Sequence, residues 1–145
     1  MSSSAERRLA RYRAARQRLA PRVSLAAFKV LVAEALDHLP PEIAARMENV
    51  AVVVEDWPRP ERLAELGYDP HEELLGLYEG INRLERATGY HLATPDRITL
   101  FWRPIVEEVG PGDPNAIRRE VRKTVIHEVA HHFGFDDAEL ERLGG

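Results

Sequence analysis

His127, Glu128 and His131 close a helix-patterned run and spell HExxH, with Gly134 three residues on and Asp136-Asp137 just beyond it. Two imidazoles four positions apart stack on one face of an α-helix, so both can reach a single metal ion. Glu128 follows the first histidine and is turned away from that pair. From there its carboxylate can reach a water beside the ion without ligating the ion itself, which is the position a general base needs. A third ligand can return to the ion only if the helix stops soon after the second histidine. Gly134 supplies that stop, because glycine takes the left-handed backbone of a helix end at little steric cost. Asp137, ten residues after His127, is the expected third ligand, and the adjacent Asp136 is the alternative. The chain contains no cysteine, so any metal site must be built from nitrogen and oxygen donors.

These residues need a scaffold, and the surrounding pattern predicts one. Asp113-Pro114 reads as an N-cap followed by proline at the first helical position, and the helix it starts should run to Phe133. Its apolar positions broaden toward the C-terminal end, so two histidines and a glutamate stand among residues that ask to be buried; a metal would give all three a partner. Upstream, Ser24 caps a helix with Leu25, Phe28, Leu31, Val32, Ala35, Leu36 and Leu39 at helical spacing. Short helices are expected over Pro41 to Met47, Glu61 to Leu66 and Asp137 to Leu143. Strands are expected at Val50 to Val54, Leu74 to Tyr78 and Ile98 to Trp102, with Pro104 ending the last. Gly80 should open a long polar connection.

At 145 residues with 44% hydrophobic and 30% charged composition, the chain has the size and balance of one domain with its own core. Charge is unevenly placed. Residues 1–22 carry seven arginines against Glu6, a net of +6, leaving −10 on the rest of a chain whose total is −4. We therefore divide it into a basic arm, 1–22, and a catalytic domain, 23–145. The arm could meet phosphates, but beyond Tyr12 it has no aromatic platform, which argues against nucleic acid as its partner. No run approaches the length of a membrane span and no apolar stretch follows the charged start, so the expectation is a cytoplasmic protein with no membrane partner.

The segment His127 to Asp137, together with Leu74-Leu-Gly-Leu-Tyr-Glu-Gly80 and Pro95-Asp-Arg-Ile-Thr-Leu-Phe101, resembles the minimal zincin-like metallopeptidases of bacteria. The resemblance spans about residues 24–143 and leaves out the arm. It implies an α+β class with a minimal zincin-like fold, a small sheet of three to four strands packed on helices with the motif helix at its centre, and with it Zn²⁺ at His127, His131 and Asp137, peptide-bond hydrolysis with Glu128 as catalytic base, and a peptide or protein substrate. The larger metzincin group shares the spacing but has a third histidine and a methionine turn. Here Asp137 takes the third place, and Met1 and Met47 both precede the motif. With only eight residues after Asp137, no C-terminal subdomain is expected to wall a substrate cleft. Two other readings fit parts of the pattern: a metal-dependent endoribonuclease of the HxxxHxxGxxH type, which lacks a glutamate after the first histidine, and a non-catalytic metal-binding protein. Tyr78, Tyr90 and His91 are candidate donors to a developing oxyanion, with ordinary packing as the alternative for each. His132 points about 100° from His131 and is expected to be a polar neighbour of the site and not a ligand.

Overall fold

The computed structural model describes residues 6–7, 10–11, 13–14, 23–68, 74–80, 95–109 and 113–144. Its elements follow in the order α1 (Leu25–Leu36), α2 (Pro41–Arg46), β1 (Val50–Glu55), α3 (Pro60–Glu65), β2 (Gly76–Glu79), β3 (Asp96–Phe101), α4 (Trp102–Val109), α5 (Pro114–His132) and α6 (Asp137–Arg142). This is the expected α+β arrangement, with three strands among the described residues.

The strand order is β1-β3-β2, with β1 parallel and β2 antiparallel to the central β3. Side chains alternate across a strand, so β3 sends Ile98 and Leu100 to one face and Thr99 and Phe101 to the other. On the first face, Ile98 and Leu100 join Phe28, Leu31 and Val32 of α1 and Ile117, Val121, Val125 and Val129 of α5 in the main core. On the second face Arg62 of α3 pairs with Glu79 of β2 and with Glu55 of β1. Among the described residues, no helix is long and apolar enough to cross a membrane.

Local signals set most of these boundaries. The Ser24 hydroxyl accepts the Ala27 N–H at 3.1 Å, and Pro40-Pro41 closes α1 and opens α2. Two expectations need correction. Trp102 does not end a strand; it starts α4, and Pro104 lies inside that helix. Proline is tolerated there because the N–H groups of a first helical turn have no intrahelical partner to lose. The second strand begins at Gly76, two residues later than the Leu74-Leu75 pair suggested, since the ladder with β3 starts from Gly76 opposite Leu100. The connection after Gly80 lies outside the described residues.

Of the arm, the described residues 6, 7, 10, 11, 13 and 14 are helical. Arg11 reaches Glu108 of α4 at 3.6 Å, with both side chains partly in solvent.

Candidate metal centre

The long helix α5 is fixed at both ends, and that determines where the motif stands. At its start Asp113 accepts the Asn115 N–H at 3.0 Å. At its end Gly134 has φ +73°, the Phe135 N–H reaches back to the Ala130 carbonyl at 2.8 Å, and the Gly134 N–H to that of His131 at 3.3 Å. These paired bonds are a Schellman stop, in which the left-handed glycine lets two terminal carbonyls find donors. Phe135 completes it by packing against the core. The chain then enters α6 through a capping box: Asp136 accepts the Glu139 N–H at 2.8 Å while the Glu139 carboxylate accepts the Asp136 N–H at 3.4 Å. Asp136 is thus occupied as a cap. Asp137, the first residue of α6, is exposed and has no side-chain bond among the described residues.

The helix brings His127 and His131 together as the i, i+4 spacing requires, with ring centroids 4.3 Å apart. His127 is half-buried and His131 lies at the open end of the helix. Burial, with His131 and Lys123 close by, pushes the His127 imidazole below its usual range. This favours the neutral form, the one in which imidazole ligates metals. Two adjacent imidazoles in a cysteine-free chain suit a borderline cation such as zinc. Among the described residues, no group of three His, Cys, Asp or Glu side chains lies close enough to hold a metal ion. The two histidines fit such an ion; Asp137 stands one turn-back away, on the next helix.

Glu128 faces β2. Burial raises its carboxyl above the usual carboxylate range, opposed by a hydrogen bond from the Tyr78 backbone and by nearby His131. His132, one turn further along the same side, stacks on the Tyr78 ring at 3.9 Å between centroids and meets Phe133 edge-on at 4.9 Å. The Tyr78 hydroxyl donates to Asp96 Oδ2 at 2.7 Å, so it is engaged at the β2–β3 junction. Phe133 in turn lies under Arg46 of α2, whose guanidinium carbon is 4.7 Å from the ring centroid. Tyr90 and His91 fall outside the described residues.

Asp96 and Arg46 join the surroundings of the site without any mark in the sequence. Neither carries a local signal: Asp96 meets Tyr78 only because β2 and β3 pair in one register, and Arg46 meets Phe133 only because α2 docks at the end of α5.

The arrangement of a three-stranded mixed sheet, a capped central helix and an HExxH end is that of a minimal zincin. The chain belongs to the zincin-like metallopeptidase family, whose model matches residues 47–145. The match begins after α1 and α2, later than the span over which the sequence resembles that family. No curated protein matches the chain. Family membership places it with metal-dependent peptidases, in which the metal is typically zinc.

Proposed function

We propose that this chain is a zinc-dependent peptidase in which His127, His131 and Asp137 hold the ion and Glu128 is the general base. The observation that carries the reading is the placement of a half-buried glutamate beside two paired imidazoles at the open end of a capped helix. Burial raises the Glu128 carboxyl above the usual carboxylate range, and a carboxylate so placed holds a proton more strongly than one in water, as a general base must. Zinc, when bound, supplies a Lewis acid that polarises the scissile carbonyl and acidifies water toward a pKa of about 7. Glu128 takes the proton of the attacking water and delivers it to the leaving amine.

The substrate is a peptide or protein segment in extended form, and β2 is the edge it would join. Among the described residues β2 is the outer strand on the α5 side of the sheet. The Phe101 N–H donates to the Leu75 carbonyl, so Leu75, Leu77 and Glu79 turn their backbone groups toward β3, while Gly76 and Tyr78 turn theirs outward. Glu128 accepts the Tyr78 N–H. Among the described residues the Gly76 backbone groups face away from β3, on the side where an added strand would pair.

A peptide library incubated with the zinc-loaded protein tests this. Cleavage that stops with a chelator and returns with zinc is expected. No cleavage of any peptide, with metal-dependent cutting of RNA instead, would replace this reading with the endoribonuclease one, for which the basic arm would then supply the phosphate contacts.

A further inference from the structure

Three contacts between β2 and α5 fall on successive rungs: residue 76 against 124, 78 against 128, and 80 against 132. At the first, an alanine Cβ at Gly76 would lie 2.7 Å from Thr124 Cγ2 and 3.3 Å from the Thr99 carbonyl oxygen. At the second, the Tyr78 backbone bonds to Glu128. At the third, a Cβ at Gly80 would lie 3.1 Å from His132 Cε1. The rungs coincide because two residues of strand advance about 6.6 Å and four residues of helix about 6.0 Å. Over three rungs the two elements stay nearly in step.

Neither glycine is needed for its backbone angles, since among the described residues positive φ occurs only at Gly67, Gly134 and Gly144. Their missing side chains serve close approach. Gly76 is buried, and the groups its Cβ would meet cannot all yield. Thr124 is buried and β-branched, and the Thr99 oxygen belongs to the central strand. An added methyl must therefore lift β2 from the helix.

We propose that Gly76 and Gly80 are positioning residues for Glu128: they let β2 lie flush on α5, so that the Tyr78 N–H restrains the Glu128 carboxylate beside the histidine pair. The proposal rests on Glu128 being the base. It predicts that the glycines act on the base and leave the metal ligands alone, because His127 and His131 lie on another side of the helix. Gly76 is the stronger of the two, since the His132 ring opposite Gly80 is exposed and can shift.

The test is amide hydrogen exchange at Tyr78, read in wild type, Glu128→Ala, Gly76→Ala, Gly80→Ala and Gly76→Ala/Thr124→Ser. The double variant removes the Cγ2 atom that the new methyl would strike. Tyr78 exchange is expected to be at least about tenfold faster in Glu128→Ala and in Gly76→Ala, and back within about threefold of wild type in the double variant. Gly80→Ala should show an effect of about two- to threefold by the same measure. In parallel, Gly76→Ala should bind zinc within about threefold of wild type, while kcat falls at least about tenfold and KM changes less than about threefold. Should Gly76→Ala fail to fold, the double variant and Gly80→Ala still decide. Unchanged Tyr78 exchange in Glu128→Ala, or a double variant no better than Gly76→Ala, overturns the ladder. If the exchange pattern holds but wild type cleaves no peptide, the ladder stands and the role of Glu128 as base falls.

Discussion

Two sides of the same helix end are built on different terms. On the β2 side of α5, Thr124, Glu128 and His132 each meet a strand residue, and Glu128 is tied to a backbone N–H. On the other side, His127 and His131 meet each other, and His131 stands in solvent. The difference teaches which part of the site the protein prepares in advance. The proposed base is oriented by the fold, through a donor that cannot be lost by mutation of a side chain. The proposed ligands are brought near one another by helical spacing alone, and a bound ion would complete their arrangement.

The largest effect should come from breaking the unprepared side. His131→Ala removes a ligand without removing a packed group, so the metal-free protein should unfold within about 0.5 kcal/mol of wild type, as exposed positions do. Its zinc affinity should nevertheless fall by more than the roughly hundredfold that loss of an outer-shell partner costs. Calorimetric zinc titration and chemical unfolding of the same sample measure both. Zinc bound as tightly as by wild type would move the site elsewhere.

The two sides also part in their pH dependence. In the metal-free protein His127 binds its proton less readily than in the unfolded chain, where imidazole titrates near 6.5. The unfolded state therefore gains protons first, and stability is lost as pH falls through about 6.5 toward the lower folded value. Glu128 acts with the opposite sign. Its folded carboxyl holds a proton above the unfolded value of 4.5, so stability present at lower pH is lost as pH rises through the raised folded value. Melting temperatures from pH 4 to 8 should show Glu128→Gln gaining on wild type as pH rises through that range. An offset between the two that does not vary with pH would contradict the burial of Glu128.

Much of this was legible because it is local. Ser24, Asp113 and Gly134 act on residues within a turn of themselves, so α1, α5 and the stop after the motif could be read from neighbours alone. The i, i+4 pairing of His127 and His131 follows from helix geometry in the same way. Helix α4 was hidden by its composition. Trp102, Ile105 and Val106 continue the β-branched and aromatic character of β3, and Pro104 looks like a terminator until it is placed in a first turn. The spacing of Trp102, Ile105, Val106 and Val109 was the helical signal available. What holds Glu128 was not legible at all. Its partner Tyr78 lies fifty residues away in sequence, and only the strand order β1-β3-β2 puts that strand beside α5.

The smallest effect is expected from the arm. One of its contacts with the body is the Arg11–Glu108 pair at 3.6 Å, and such partly exposed pairs contribute about 0–1 kcal/mol. Deleting residues 1–20 should therefore leave zinc binding unchanged. The melting temperature should fall by less than about 8 °C, beyond what loss of about 1 kcal/mol produces in a domain of this size. A larger fall would show that the arm is part of the packed domain.

The contrast between a prepared base and waiting ligands is tested most directly by Glu128→Gln, with zinc content and peptide hydrolysis measured on the same preparation. Glutamine keeps the shape of the side chain and an oxygen for the Tyr78 N–H, but it cannot take a proton from water. Zinc should bind as in wild type, while hydrolysis falls at least about a hundredfold, the low end of what a general base contributes. Hydrolysis unchanged with zinc in place would remove Glu128 from the chemistry, and loss of zinc together with the fold would make it a structural residue.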